Sequence, residues 1–356
     1  MRIDMFGVIM AGGQGTRLYP LTKNRPKPMV EVLGRPVIEF VKDAMVNSGV
    51  TNIIVTTGYK GEMLEQLVES WSSNDSRLSS SKINQENTPM GTAGSVRLLV
   101  DQLKETFVVG SGDSVLSCNL ENLIHAHKKS NAKVTIGLWQ VTNPSEFGIV
   151  GLSKTQKGEL DGSLDEGFVV KFLEKPEPKE AFSDVINAGL YIIEPDVLEL
   201  IPMGEKYDFS KQLFPKLLDL EWPIYAKKIE GVWFDVGLPN ELISAQHTLI
   251  KDRESLPFKM PEGEVIGTNG FEFSKSSSQA INRGSVLSDG TIIGKDTFLQ
   301  NSLIMKETNI GNNCKIINSV IGCNVKIGDF CSIENCVIGD NAIIESNTSI
   351  NGEKLD

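Results

Sequence analysis

Apolar and polar residues along this chain keep one rhythm to about residue 250 and adopt another near the end. In the first part, short β-rich apolar runs alternate with stretches whose apolar residues recur every three to four positions. The runs at 6–11, 52–58, 82–87 and 107–110 predict strands, and 36–47, 61–71, 92–104 and 120–129 predict helices between them. Further strands are expected at 133–141, 168–173, 186–193 and 231–236. Alternation of this kind predicts an α/β fold, a Rossmann-like, mostly parallel sheet with helices on both faces. The Ser-rich stretch 72–81 reads as a loose surface loop.

Residues 251–280 lose this regularity and read as a linker with some short strand, between a domain spanning 1–250 and another spanning 281–356. From Leu287 the second rhythm takes over. Aliphatic residues fall at Leu287, Ile293, Leu299, Ile304, Ile310, Ile316, Ile321, Ile327, Ile333, Ile338, Ile344 and Ile350. The steps run 6, 6, 5 and repeat, so each coil is 17 residues with three aliphatic corners. That period belongs to a triangular parallel β-solenoid whose coils bury their aliphatics against one another. Four places after these corners stand Thr297, Cys314, Val325, Cys331, Ala342 and Thr348, small enough for a narrow interior. Cys314 and Cys331 are one coil apart and are expected on neighbouring rungs about 5 Å apart. The pattern resembles the left-handed parallel β-helix of many acyltransferases.

Length and composition agree with two ordinary globular domains: 356 residues, 40% hydrophobic and 23% charged. A net charge of −11 argues against nucleic acid as a partner. The apolar run 6–11 is too short for a membrane span and lacks a signal-peptide pattern, so a cytoplasmic protein is expected. None of the five cysteines forms a Cys-x-x-Cys pair, which fits reduced thiols and not a metal site. One local feature breaks the acidic balance. Between Arg17 and Lys27 lie four cations (Arg17, Lys23, Arg25, Lys27) and no acid, which suggests a site for a small polyanion.

The chemistry concentrates just before that cluster. A buried strand ends in Ala11-Gly12-Gly13-Gln14-Gly15-Thr16-Arg17, followed by Arg25-Pro26-Lys27-Pro28. Glycines lacking Cβ let backbone N–H groups approach phosphate oxygens. Arg17 offers a planar fork and Lys27 a point charge on a proline-stiffened segment. The loop is neither a Walker A sequence nor a complete dinucleotide fingerprint. Asp113 follows an apolar strand, at the edge where open α/β sheets bind ligands. Asp235 lies among Trp233, Phe234 and Val236, where an uncompensated charge is costly and a metal would settle it.

These segments resemble the signature of the nucleotidyltransferases that make sugar nucleotides. Further pieces appear in order: Met90-Gly91-Thr92-Ala93-Gly94, Gly112-Asp113-Ser114, Pro144 to Val150, Phe172 to Pro176, Asn187 to Tyr191, and Trp233 to Gly237. The resemblance implies transfer of a nucleoside monophosphate from an NTP to a hexose 1-phosphate, with release of pyrophosphate. It implies catalytic roles for Arg17, Lys27, Asp113, Lys175 and Asp235, with Asp113 and Asp235 holding Mg²⁺. Nucleotide contacts fall to Ala11, Gly12, Gly13, Gly15, Thr16, Glu86, Gly91 and Thr92, and sugar-phosphate contacts to Gly148, Glu174, Lys175 and Asn187. Lys27 is expected to face the phosphates between the two substrates.

The Gly-Thr-Ala-Gly stretch and the β-helix resemble mannose-1-phosphate guanylyltransferases more than short thymidylyltransferases. Glu86 points the same way, because guanine presents two adjacent donors that suit a carboxylate. GTP with mannose 1-phosphate is therefore the first expectation, and glucose 1-phosphate with dTTP or UTP the alternative. An acyltransferase is disfavoured: residues 280–356 hold no histidine base and fewer than four complete coils. A regulatory subunit without catalysis is disfavoured because all five catalytic candidates are retained. The β-helix is expected to assemble a homo-oligomer.

Overall fold

The computed structural model describes residues 5–356. Packing divides the chain into two units. One runs up to Gly12 and takes in Phe40–Gly112 and Leu116–Trp233; the other comprises Gly13–Glu39, Asp113–Val115 and Phe234–Asp356.

The first unit is built on a nine-stranded sheet. Its order is Ser80–Gln85, Val50–Thr57, Met5–Met10, Phe107–Ser111, Val185–Ile193, Val134–Gln140, Ile224–Lys228, Glu166–Glu174 and Gly148–Ser153. The first four strands pair parallel, and the later ones mix orientations. Three of those four carry apolar runs buried on both sides, such as Val8 and Ile9, Ile53 to Val55, and Phe107 to Val109. The helices α1 (Ile38–Asn47), α2 (Glu62–Asn74) and α4 (Glu121–Ser130) fall where the periodicity placed them, whereas α3 (Gly91–Arg97) stops well short of residue 104 and gives way to turns.

The Ser-rich stretch is shorter as a loop than its composition suggested. Helix α2 buries Leu64, Val68 and Trp71 on one stripe, and that packing carries it through the serines to Asn74. Arg77 closes the connector onto Asp75, and the next strand begins at Ser80. Residues 233–236 also depart from expectation. Trp233–Asp235 pairs with Ser114–Leu116 in a separate two-stranded ribbon instead of joining the main sheet.

The second unit is dominated by the left-handed β-helix. Rungs pair 17 residues apart: Leu287 with Ile304, Ile321 and Ile338 in turn, and likewise Ile293 to Ile344 and Leu299 to Ile350. The repeating aliphatics lie on the flat faces and point inward, not at the corners. Each buried one contributes about 1.5–3 kcal/mol. The corners are residues at positive φ in the same 5, 6, 6 rhythm, mostly asparagines: Asn301, Asn313, Asn318, Asn324, Asn335, Asn341 and Asn347. Asparagine tolerates that region because its short side chain bonds locally. Here Asn301, Asn318 and Asn335 pass an amide hydrogen bond from coil to coil. Cys314 and Cys331 stand on adjacent rungs, with Lys315 N–H donating to the Cys331 carbonyl, and all five cysteines are free thiols.

The ladder begins earlier than the aliphatic rhythm shows. Gly270–Phe273 and Ser277–Ser278, inside the stretch read as a linker, already pair with the next coil, as does Ile281–Arg283 just after it, so two faces carry five rungs each. Helix α6 (Pro239–Lys251, α5 being Phe214–Asp219) bonds to both the 13–39 segment and the solenoid. Gln246 accepts the Leu33 N–H at 3.2 Å, and His247 Nε2 donates to the Gly284 carbonyl at 2.7 Å.

Candidate active site

In the second unit the signature loop folds around Lys27. Gly15 adopts φ +67°, and a Cβ there would stand 2.9 Å from the Lys27 Cβ, so only glycine lets the two segments meet. The Thr22 hydroxyl fixes the turn by donating to the Gly15 carbonyl at 2.7 Å. Short 3-10 turns at Thr16–Leu18 and Lys27–Met29 follow, with Leu18 buried beneath the first.

Lys27 is almost fully buried, and its Nζ donates at 2.7 Å to both Asp113 Oδ2 and Asp235 Oδ1. Burial alone would push this ammonium down, but the two carboxylates outweigh it and hold its pKa above the ordinary value. Arg17 Nη2 lies 3.6 Å from Asp235 Oδ2. Four of the five catalytic candidates (Arg17, Lys27, Asp113, Asp235) are thus brought together. The ribbon pairing Ser114–Leu116 with Trp233–Asp235 is what sets the two aspartates side by side. Gly13 is exposed with open space where its Cβ would be, and Thr16 is exposed beside Arg17.

The loop's charge needs a correction. Two of the four cations counted toward a polyanion site are engaged by acids of the β-helix: Lys23 by Asp356 and Arg25 by Asp340.

The first unit gathers the sugar-phosphate candidates. An aromatic cluster of Phe172, Tyr191, Phe209 and Phe214, with centroids 5.0–5.8 Å apart, aligns three segments. Glu174 ends the first segment, Asn187 lies on the second, and Asp208 and Ser210 flank Phe209 on the third. Asn187 Nδ2 donates to Tyr191 Oη at 2.9 Å and to Ser210 Oγ at 3.2 Å. Burial, and next the Asp208 charge, raise the Glu174 carboxyl above its usual range. A Cβ on Gly148 would stand 2.6 Å from the Phe172 ring and 2.7 Å from Glu174 Oε2, so glycine leaves that carboxylate in place. Lys175 belongs to this unit, at φ +48° and 3.8 Å from Glu146.

The nucleotide candidates of this unit carry structural duties as well. Ala11 is buried and its N–H donates to Thr56, while Gly12 is exposed. Glu86 accepts the Met90 N–H at 3.1 Å, and burial raises its carboxyl. Gly91 at φ +73° lies against the Tyr207 backbone, and Thr92 Oγ1 donates to Asp208 at 2.9 Å while accepting the Phe209 N–H.

Three further residues, Asp208, Ser210 and Glu241, escaped the sequence reading, and Gly237 was quoted there only as the end of a matched piece, without a role. Asp208 caps the turn at Ser210 and Lys211, and Ser210 bonds Asn187. The signal for both was an Asp two residues before a Ser, at the start of an apolar helical run. Gly237 lets Arg17 reach Asp235, since a Cβ there would stand 2.7 Å from Arg17 Nη2. Glu241 accepts the Leu238 N–H at 2.8 Å, and burial together with Asp235 raises its carboxyl. No helix had been expected there, so Glu241 had no context.

Two convergent carboxylates that already hold an ammonium form a hard-oxygen donor set suited to a divalent cation. Among the described residues no cluster of three or more metal-ligating side chains exists. A cation completed by substrate phosphates is the arrangement Mg²⁺ favours, so the residues fit that ion. No helix among the described residues is long and apolar enough to cross a membrane.

A family model described as nucleotidyl transferase matches residues 6–252, and one described as the GMPPB C-terminal domain matches 271–355. A mannose-1-phosphate guanyltransferase of Saccharomyces cerevisiae is 33% identical over 268 residues, covering 74% of this chain and 69% of its own length. A mannose-1-phosphate guanylyltransferase of Mycobacterium tuberculosis is 31% identical over 291 residues, 81% of this chain and 74% of its own. A UTP–glucose-1-phosphate uridylyltransferase of Synechocystis sp. is 32% identical over 255 residues, 65% and 60% of the two chains.

Proposed function

The chain belongs to the nucleotidyl transferase family, and from that premise we propose that it joins GTP to mannose 1-phosphate, giving GDP-mannose and pyrophosphate. The observation that carries this reading is Lys27 held between Asp113 and Asp235 with Arg17 alongside. A glycine loop, two fixed cations and two acids for a divalent ion make a device for polyanions, and the match of both family models supports the sugar-nucleotide class.

The nucleophile needs no general base, because a sugar 1-phosphate oxygen is already anionic near neutral pH. It attacks the α-phosphorus in line, a P–O bond forms, and the bond to the bridging oxygen breaks, leaving its electron pair on pyrophosphate. The difficulty is repulsion between two polyanions. Arg17 would grip the β,γ end of the nucleotide and Lys27 would sit between the substrates. Lys175 would hold the sugar phosphate, while Glu174, Asn187 and the Gly148 backbone would meet sugar hydroxyls. Asp113 and Asp235 would hold Mg²⁺, which supplies charge neutralisation at the phosphates. Glu86, already accepting one N–H, would read the two adjacent donors of guanine.

A pyrophosphate-release panel of GTP, dTTP, UTP, ATP and CTP against mannose and glucose 1-phosphates tests the assignment. GTP with mannose 1-phosphate is expected to lead in kcat/KM by about tenfold or more, a margin that a pair of base contacts supplies. A lead for UTP or dTTP with glucose 1-phosphate would move the protein to the alternative specificity, and no release with any pair would reject the activity. The homo-oligomer is proposed on the same footing. Ile292 and Ile343 are 56% and 68% exposed on one solenoid face, and a monomer in sedimentation at micromolar concentration would remove it.

A further inference from the structure

The loop carrying Arg17 and Lys27 is attached to the β-helix at successive points. Lys354 Nζ donates to the Arg17 carbonyl at 3.0 Å. The Pro20 ring packs on Gly339, where an added Cβ would come within 3.1 Å of it. Lys23 pairs with Asp356, Arg25 with Asp340, and Glu31 with Lys306 at 2.8 Å. The Lys23–Asp356 pair is exposed and individually weak, and Glu31–Lys306 is only partly covered. Arg25 is different, because its side chain is 15% exposed and that of Asp340 is 11%.

Asp340 is itself fixed before it meets Arg25. Its Oδ1 accepts the Cys323 N–H of the preceding coil at 2.8 Å, leaving Oδ2 for the guanidinium. Arg25 Nη2 also lies 3.4 Å from Cys323 Sγ. One rigid coil therefore presents an acceptor in a set position, and Arg25 meets it through Nη2. Two residues on, past Pro26 at φ −69°, Lys27 enters its place between Asp113 and Asp235. The solenoid coil lies more than 300 residues away in sequence, yet it fixes the stem from which Lys27 projects.

We infer that Arg25 is a positioning residue for the nucleotidyl transfer proposed above, on which this rests: anchored by Asp340 of the β-helix, it sets the register of Lys27 and Arg17. In this role Arg25 touches no substrate. The solenoid is then part of the active-site foundation, in addition to any role in assembly.

The test is steady-state kinetics of the full chain carrying Asp340→Asn, with hydrogen exchange over residues 13–30 as a readout independent of turnover. Loosening a catalytic group by about 1 Å costs up to roughly a hundredfold, so kcat is expected to fall about ten- to hundredfold. KM for the nucleotide should rise, while KM for the sugar phosphate, whose candidate residues belong to the other unit, should stay within about twofold. Exchange over 13–30 should accelerate and that of the strand Phe107–Ser111 should not. Arg25→Lys, which keeps the charge opposite Asp340, should recover part of kcat relative to Arg25→Gln. General destabilisation would instead lower kcat with both KM values unchanged. If Asp340→Asn does not fold, Lys354→Ala, at an exposed lysine, should raise the nucleotide KM a few-fold. Wild-type kinetics and wild-type exchange in the folded variant overturn the inference. An inactive wild-type enzyme would instead reject the proposed function, and the exchange result would still report on the anchor.

Discussion

Replacing Lys27 with methionine keeps much of the buried stem and removes the ammonium that Asp113 and Asp235 share. Each of its two 2.7 Å bonds is charge-assisted, a class worth about 1.5–3 kcal/mol. The carboxylates are 33% and 21% exposed and can turn to water once released, so the low end applies. The expected loss is about 2–3 kcal/mol for the pair, or roughly 4–12 °C in the midpoint of the unit that holds it. The variant should also respond to metal differently. Freed of the lysine, the two acids become an open site, and a divalent cation at a hundred times its dissociation constant returns about 2.7 kcal/mol. Thermal unfolding with and without Mg²⁺ or Mn²⁺ measures both effects. The metal-induced rise should be larger in Lys27→Met than in the native protein, while turnover stays about a hundredfold or more below it even with metal. An unchanged midpoint, or equal metal shifts in the two proteins, would refute the reading of Lys27 as the cation competing for the metal carboxylates.

Asp113→Ala and Asp235→Ala should each leave a folded protein with turnover near zero, checked by circular dichroism and pyrophosphate release; near-native turnover in either would remove that residue from the metal site. Gly148→Ala forces a methyl against Phe172 and Glu174 and should raise KM for the sugar phosphate about tenfold, the equivalent of one lost contact, with nucleotide KM nearly constant; equal shifts in both would place Gly148 elsewhere. Burial lowers the pKa of His127, although Glu194 opposes it, and burial lowers that of His247 as well. With folded values depressed, the unfolded chain takes up protons first below the ordinary imidazole value of about 6.5, so stability present at pH 7 should fall on acidification through that window. Denaturant midpoints between about pH 7 and pH 5 should show this slope, and His127→Gln should flatten part of it; an unaltered slope would assign the effect to other groups.

Much of this molecule was legible in one dimension because its determinants are local or periodic. Burial on both sides writes the parallel strands as continuous apolar runs, and the coils of the solenoid write Leu287 to Ile350 as one repeating interval. What the interval could not say is which way those residues face, since aliphatics at faces and at corners recur with the same period. It also missed the first coil, because Phe271 and Ser278 do not look like the later rungs that they pair with. The short helical turns after Asp208 were blurred by their length, and α6 was not anticipated in spite of its 13 residues, so Asp208 and Glu241 lacked the helix starts that give them meaning.

The site divides along the same line. Glycines, Arg17, Lys27, Asp113 and Asp235 could be singled out from the chain because their segments resemble the family signature, and phosphate chemistry gives each residue type a fitting duty. Which charge meets which was decided only in three dimensions. Lys27 between two carboxylates, Arg25 on Asp340 and Lys23 on Asp356 join residues separated by up to 333 positions. A sequence records how many cations a loop carries. Only packing sets which acid each cation meets, so that Arg17 and Lys27 converge on Asp235 while Lys23 and Arg25 are held by acids of the β-helix.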